Sequence, residues 1–414
     1  MKKILLMIYI FTISQLFSIT LEDLEKSLEA NYPNFKNSDL YDKITEIEEQ
    51  KILSYLFPQF SLIGSFSDQS ETMELPISSA LFQIPETDTQ RKQIVLNIDQ
   101  ILYDSGVNHQ RRELSNLKME IENDENVIKL ESLKEKLFSL YFAALFQKEK
   151  LEIKQNLLNN LNERKKTAIK SKEVGILQEK DIYLLESEII KVEQDILEAE
   201  SGLADVYKKI SILTGESLAV GIDFEKPEFT EKHSYRKEYD LFKSRILLLD
   251  ENSTLYSKLK LPKLVANAQI GYGNPGLNIF DNEWNDFYKY SINFKWDIWN
   301  WRRYHSEQEI LKVRKKILEN EESAFSKNLE MRKNESIEKI KKITAMLEND
   351  RKILELRLKI QKITNSQFDN GIATSIDVID DNTAVANTQI SLRLRELQLL
   401  YEKLYNKKYI GEIR

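Results

Sequence analysis

Two long stretches of this chain contain neither glycine nor proline. They run from Val107 to Val174 and from Arg302 to Asn370, which is 68 and 69 residues. Glycine and proline are the residues that most disfavour a helix interior, so each stretch can continue as a single helix. At 1.5 Å per residue, such a helix is roughly 100 Å long. The chain is therefore predicted to fold around two long helical rods.

The apolar residues of the first stretch repeat at the spacing of a coiled coil. Steps of three and four residues connect Leu130, Leu133, Leu137, Leu140 and Ala144. After Gly175, a second run keeps the same spacing at Ile182, Leu185, Ile189, Val192, Ile196, Ala199, Leu203, Val206, Ile210 and Leu213. Such alternating steps mark the seam between two supercoiled helices. We therefore predict an antiparallel helix hairpin that turns at Gly175.

The chain consists of two copies of one unit. The markers that recur are Pro58 and Pro262, Tyr103 to Gly106 and Ile298 to Trp301, Gly175 and Gly371, and Gly215 and Gly411. Members of each of the last two pairs are 196 residues apart. A repeat of this length indicates a duplicated architecture rather than a short-period solenoid. The second copy is therefore predicted to form a second helix hairpin.

Four short stretches alternate apolar and polar residues, as strands with one apolar face do. They lie at 60–67, 94–102, 264–272 and 288–297, and the last has Tyr288, Tyr290, Ile292, Phe294 and Trp296 on one face. Ten residues is also the length of a tilted strand that crosses a bilayer. Because about eight strands are needed to close a barrel and lipid tolerates no open edge, four strands cannot span a membrane alone. Either the strands lie outside a membrane, or several chains share one barrel.

Composition excludes several function classes. A net charge of −7 and the absence of an isolated basic block argue against nucleic-acid binding. The chain has no cysteine, so it has no disulfide, thiolate metal site or lipoprotein anchor. The three histidines are far apart in sequence, at His109, His233 and His305, and no glycine-rich phosphate loop is present. We therefore predict neither catalysis nor a metal or cofactor, and expect any energy to come from a partner.

The first 18 residues resemble a secretory signal. Lys2 and Lys3 precede an apolar run from Ile4 to Ile13, and Ser18 is a small residue before the expected cut. The alternative is an uncleaved N-terminal helix. The remainder is predicted to divide into a helical segment (19–57), a strand pair (58–106), a helix hairpin (107–214), a linker with a helix (215–261), a second strand pair (262–301) and a second hairpin (302–414).

Taken together, these patterns resemble the TolC family of bacterial outer-membrane channel proteins. The resemblance covers the whole mature chain. Its motifs are Ile19 to Asp23, Pro58 and Pro262 before the strands, Leu102 to Gly106, Trp296 to Trp299, Val174 to Asp181 and Asn370 to Asp377. Each motif is short, and their order, spacing and duplication make the set specific.

The resemblance implies a mainly α fold with a small β part. Three copies would form a 12-stranded outer-membrane β-barrel that continues into the periplasm as an α-helical barrel. Such proteins are the passive exit ducts of tripartite efflux pumps or of type I secretion systems, with a periplasmic adaptor and an inner-membrane transporter as partners. The alternative is a periplasmic coiled-coil adaptor or structural protein with a soluble β domain.

The resemblance also assigns roles at the tip of the hairpins. Gly175 and Gly371 would lie at the periplasmic tip, and Asp377 and Asp380 would line a gate as carboxylate rings. Such rings favour cations, and like-charge repulsion raises their pKa values. A solvated acidic first turn of a helix is the alternative for both residues. Asp181 would help to hold the closed tip.

In the family this contact uses an aromatic hydroxyl and an arginine, whereas this chain has Phe368 and Ala373 at those positions. The tip is therefore expected to be held by other contacts, and Glu179 and Lys180 are the candidates in the sequence.

All four tryptophans lie between Trp284 and Trp301. Aromatic residues form belts at the boundary of a bilayer. We assign Trp284 and Tyr288 to such a boundary, and expect Trp299 and Trp301 to pack at the junction between strand and helix.

Overall fold

The computed structural model describes residues 19–72, 87–175, 177–219, 222–228 and 235–410. The predicted signal peptide, His233 and the repeat marker Gly411 lie outside the described residues. The chain divides into two compact units. One comprises Met1–Asn37, Asn126–Glu238 and Ser323–Arg414, and the other comprises Ser38–Glu125 and Tyr239–Glu322.

The fold is mainly helical with one small sheet, as predicted. The helices are α1 (Leu21–Asn31), α2 (Asn37–Ser54), α3 (Val107–Glu173), α4 (Glu179–Thr214), α5 (Lys237–Lys258), α6 (Arg303–Asp369) and α7 (Ser375–Tyr405). The strands are β1 (Gln59–Asp68), β2 (Gln90–Tyr103), β3 (Lys263–Asn274) and β4 (Asn285–Lys295). A 3-10 turn, Pro33–Lys36, separates α1 from α2, and a π-helical turn, Asn406–Ile410, follows α7.

The two stretches without glycine or proline are the long helices α3 and α6, each of 67 residues. Each ends at a glycine in the left-handed region, Gly175 with φ 81° and Gly371 with φ 73°. Only glycine adopts this conformation with little cost in free energy. It allows the following backbone amides to donate hydrogen bonds to carbonyls in the last turn of the helix. Ile372 N donates to Gln367 O at 2.8 Å. The hairpin turns are therefore where the sequence places them.

The duplication extends to an unusual backbone feature at the start of each long helix. Ser105 and Gly106 have φ values of 56° and 77°, and Trp301 and Arg302 have 51° and 61°. The two pairs are again 196 residues apart. The alignment of Tyr103–Gly106 with Ile298–Trp301 is therefore shifted by one residue. The left-handed pair that both copies share defines the junction, whereas the aromatic residues do not.

The core of the first unit is built on the seams predicted for α3 and α4. Leu137 and Leu185 are fully buried, and the predicted α4 seam is buried throughout except for the half-buried Ile182. Lys154 on α3 pairs with Asp195 on α4 at 2.7 Å, and Lys165 pairs with Glu186 at 2.9 Å. From the first pair to the second, the residue number rises on α3 and falls on α4. The two helices are therefore antiparallel.

An aromatic cluster joins α1, α3, α4 and α7 within this unit. Tyr141 is fully buried, and its hydroxyl lies 2.9 Å from Ile19 O and 2.5 Å from Glu225 O. Ile19 also forms a parallel bridge with Phe224, whose ring stacks on Tyr141 with centroids 4.8 Å apart. These bonds anchor the extended segment before α1 to the helix bundle.

The second unit holds the sheet, with α2, α5 and the adjoining parts of α3 and α6. Within it, Arg245 pairs with Glu125 at 2.7 Å and Lys315 with Asp250 at 2.8 Å. The strand order is β1-β2-β3-β4, with every neighbouring pair antiparallel. None of the helices in the described part of the chain has the length and apolar character needed to cross a membrane.

Candidate functional site

The four strands place their apolar residues on one common face of the sheet. In the central rows, Phe60 aligns with Ile98, Ala268 and Tyr290, and Leu62 aligns with Leu96, Ile270 and Tyr288. This face is exposed in the described part of the chain: Leu62 is 71% exposed, Tyr290 79% and Ile292 72%. An exposed apolar face of this extent marks a surface that contacts a membrane or another protein.

The opposite face of the sheet is polar and internally bonded. Asn267 donates to Asp99 at 2.7 Å, and Gln269 donates to Asn97 at 2.9 Å. These bonds run from strand to strand across β2 and β3. The two faces therefore differ as the lipid side and the water side of a barrel wall differ.

An apolar row interrupts the polar face, where Ile63, Val95, Gly271 and Phe287 align. The Phe287 ring covers Gly271, so that a Cβ added to the glycine would lie 2.3 Å from Phe287 Cζ. Val95 is the register partner of Gly271 on β2, and it is buried. Glycine is needed here because the aromatic ring occupies the space of a side chain.

Both edges of the sheet are open. β1 and β4 each pair on one side only, and no other strand in the described part of the chain pairs with their outer edges. An unpaired edge leaves backbone donors and acceptors free, and a further strand can satisfy them. The sheet is therefore a segment that can be extended at both ends.

The predicted aromatic residues fall at different places on this sheet. Trp284 precedes β4 and stacks on Tyr272, with ring centroids 5.2 Å apart. Tyr288 lies in a central row and stacks on Tyr290 at 6.1 Å. The position of Trp284 at a strand end fits a boundary residue, and the role of both residues stays a prediction.

The expectation for the last two tryptophans is wrong. Trp299 is 72% exposed and Trp301 85%, and their rings contact each other edge to face at 5.8 Å. They do not pack into the junction of their own chain. Trp301 also has a left-handed backbone, with φ 51°, a feature that residue type alone does not indicate.

A second cluster lies where the two hairpins turn. Its buried residues come from α3, α4, the α6–α7 turn and α7, and they are Ile153, Leu157, Leu161, Ala168, Leu185, Ile189, Val192, Ile196, Phe368, Ala373, Val378 and Ala386. Phe368 is 1% exposed and Ala373 8%. The α6–α7 turn is thus held against the α3–α4 hairpin by apolar packing.

Polar contacts at this tip are few. Arg164 on α3 pairs with Asp369 on α6 at 3.3 Å. Glu179, one of the two candidates for holding the tip, pairs with Lys172 at 3.1 Å within its own hairpin, and this hydrogen bond lowers its pKa. Phe368, at the position of the family's aromatic hydroxyl, packs into the apolar cluster instead.

Asp377 caps the N-terminus of α7, a role that was not predicted from the sequence. It is the third residue of α7, and its Oδ2 accepts from Thr374 N at 2.8 Å and from Thr374 Oγ1 at 2.6 Å. These hydrogen bonds hold its pKa below the usual value. The same reciprocal cap joins Thr20 to Asp23 and Gln178 to Asp181. The Thr-x-x-Asp spacing before an apolar run was the available signal.

Asp380 differs from Asp377 although both carboxylates are exposed. It makes no hydrogen bond or ion pair with any residue that the structure describes. Asp381 points to α6, where its Oδ2 accepts from Thr364 Oγ1 at 2.5 Å. Of the three successive tip carboxylates, Asp380 therefore has the most freedom to face solvent or an ion.

Asp181 is buried and caps its own helix. Its Oδ2 accepts from Gln178 N at 3.0 Å. Asp181, Gly175 and Gly371 lie at the hairpin turns. Their part in opening or closing a channel stays a prediction.

Solved structures share this fold. A crystal structure of CusC, which addresses folding and transmembrane channel formation, has a TM-score of 0.71 at 14% identity. The match covers 94% of this chain and 91% of that chain. The outer membrane protein VceC of Vibrio cholerae has a TM-score of 0.69 at 14% identity, over 95% of this chain and 97% of that chain. The open state of the outer membrane channel MtrE of Neisseria gonorrhoeae has a TM-score of 0.69 at 13% identity, over 95% of this chain and 89% of that chain. No family model and no curated protein matches the chain in sequence.

Proposed function

Because the chain has the fold of the TolC-type outer-membrane channels, we propose that it is one subunit of a passive exit duct in the outer membrane. Three copies pool their four strands into one 12-stranded barrel, and the long helices continue the duct into the periplasm. The duct serves a tripartite efflux pump or a type I secretion system. A periplasmic adaptor and an inner-membrane transporter supply the link and the energy.

The observation that carries this proposal is the sheet. Its apolar face is exposed on all four strands, its other face is bonded and polar, and both edges are open. Lipid accounts for the first property, a water-filled bore for the second, and neighbouring copies for the third. A soluble β domain would need its apolar face covered, which counts against the adaptor alternative.

The gate is proposed at the α6–α7 turn. Asp380 bonds none of the residues that the structure describes, whereas one carboxylate oxygen of Asp377 is held by the helix cap. In a ring of three copies, Asp380 would contribute three carboxylates that attract cations. Phe368 and the Arg164–Asp369 pair would hold the tip in place of a hydroxyl and arginine contact.

The first experiment tests the duct. Detergent-extracted protein should run as an oligomer when unboiled, and it should conduct ions in a planar bilayer. Recovery as a soluble periplasmic monomer would contradict the proposal and would favour the adaptor alternative.

The second experiment tests the gate. Asp380→Asn should lower cation selectivity more than Asp377→Asn, because the capped carboxylate has only one oxygen free for ions. The double variant should lower selectivity further. Unchanged selectivity and conductance in all three variants would exclude these residues as the constriction.

A further inference from the structure

Two helices of the first unit carry a second apolar row that faces away from their own bundle. On α4 the row is Tyr183, Ile190 and Leu197, which are 60%, 56% and 66% exposed. Seven residues separate successive members, so they lie on one side of the helix. At 100° per residue, this side is roughly 120° round the helix from the buried seam. We call this row the α4 outer row.

On α6 the second row is Ile353, Leu356, Ile360 and Ile363, which are 46%, 59%, 43% and 58% exposed. Their spacing of three, four and three is that of a coiled-coil seam. This row lies on a different side of α6 from the one that contacts α7. Gln361 marks the α7 side because it donates to Asn382 at 2.6 Å, and the half-buried Leu354, seven residues before Gln361, lies on that same side. We call this row the α6 outer row.

The charges beside the two rows are opposite. Residues 183–204 contain six carboxylates and one lysine, whereas residues 351–363 contain five basic residues and one carboxylate. Glu186, Glu193 and Glu200 follow the α4 outer row at a constant distance of three residues. Lys352 and Lys359 precede Leu356 and Ile363 by four residues. Flanking rows of opposite charge are what select a partner helix in coiled coils.

The geometry brings these charged rows together only in an antiparallel contact. Seen from the N-terminus of each helix, the glutamates and the lysines lie on the same rotational side of their apolar row. When two antiparallel helices meet along such rows, both charged rows fall on the same side of the contact. In a parallel contact they would fall on opposite sides.

The heights of the two rows also match. Arg164 and Lys165 are neighbours on α3, and they pair with Asp369 on α6 and Glu186 on α4. Glu186 is therefore level with Asp369. Counting eleven residues from each, Leu197 is level with position 358 of α6, between Leu356 and Ile360. A ring of copies about an axis along the helices keeps these levels between neighbours.

Building on the ring of copies proposed above, we propose that the α4 outer row of one copy packs against the α6 outer row of the next. The occupant is a second copy of this chain, because the two rows are complementary in charge, height and direction. The surfaces differ, so the contact is head-to-tail and closes by adding copies. Glu193 then lies within one helical turn of Lys359, and Glu200 within one turn of Lys352.

Disulfide trapping tests this contact in a chain that has no cysteine of its own. Leu197→Cys is combined in turn with Ile353→Cys, Leu356→Cys and Ile360→Cys, and oxidised in detergent. We expect disulfide-linked oligomers up to the size of the closed ring with at least one pair, and monomers with either cysteine alone. The control pairs Leu197→Cys with Glu355→Cys, which is exposed but lies about 100° from Leu356 round α6.

A charge exchange gives a test that does not depend on cysteine variants. Glu193→Lys should weaken the oligomer at low salt, and adding Lys359→Glu should restore it. High salt should remove both effects, because exposed charges are then screened. Equal oligomer yields for the single and the double exchange at low salt would overturn the charge pairing.

Native mass and bilayer conductance, measured on the same samples, separate this inference from the proposed duct. A conducting oligomer that forms no disulfide at any of the three pairs overturns the α4–α6 contact and leaves the duct intact. A trapped ring that does not conduct supports the contact and contradicts the duct. A native mass of one chain overturns both.

Discussion

The exposed apolar face of the sheet predicts a large difference between two neighbouring positions on β1. Leu62 lies near the middle of the strand on the apolar face, and it is 71% exposed. Ser61 lies on the polar face opposite Asn97, and it is also exposed. The two substitutions Leu62→Arg and Ser61→Arg introduce the same side chain into the same strand, with only the face changed.

If the apolar face contacts lipid, Leu62→Arg costs about 2–4 kcal/mol per chain, the value for arginine near a bilayer midplane. A ring of three copies then loses about 6–12 kcal/mol. Ser61→Arg points into water and should cost less than about 0.5 kcal/mol, as other surface substitutions do. If the apolar face contacted water, both substitutions would have the small effect.

The assay is denaturant unfolding of the protein folded into lipid vesicles, followed by the fraction of oligomer that survives on an unboiled gel. We expect the midpoint to fall strongly for Leu62→Arg and to stay unchanged for Ser61→Arg. Equal midpoints for the two variants would refute the assignment of the apolar face to lipid.

Three further predictions concern the helices. Phe368→Ala should cost about 3–5 kcal/mol by emptying the tip core, whereas Ile372→Ala, at a position 74% exposed, should cost almost nothing; hydrogen exchange of the tip compares the two. Arg302→Gly should stabilise the fold by about 1 kcal/mol, because glycine tolerates the left-handed backbone at φ 61°; Arg302→Ala, which keeps the backbone penalty, should not, and denaturant midpoints distinguish them. Thr374→Ala should cost about 1 kcal/mol through loss of the cap. Because the pKa of Asp377 is lowered in the fold, the part of this stability that Asp377 contributes is present at neutral pH and is lost as pH falls through the lowered pKa. The difference in unfolding free energy between Thr374→Ala and the parent should therefore be larger at pH 7 than at pH 3.

Most of the fold could be predicted from the sequence because its signals are long and periodic. The two 67-residue helices need only the absence of glycine and proline, and the sheet needs only alternation over about ten residues. Gly175 and Gly371 then fix the turns. Local backbone conformation was harder to predict from the sequence. Trp301 and Arg302 both adopt left-handed backbone angles, which neither residue type favours.

The candidate site was predictable in position and less so in role. Asp377 and Asp380 look equivalent as two carboxylates three residues apart, yet only Asp377 is bonded by Thr374. That distinction depends on where the helix begins, which is the least certain feature of a sequence pattern. The packing of Phe368 depends on residues that are far away in sequence, since Leu161 and Phe368 belong to the same buried cluster.

The two open edges of the sheet have a consequence for how this protein is made. In the described part of the chain, β1 and β4 leave the backbone groups of their outer edges unpaired, so in the ring proposed above the sheet gains full stability only when neighbours arrive. Under the same proposal, the yield of native strands should rise steeply with chain concentration, and an unassembled copy should be the species that chaperones and proteases recognise.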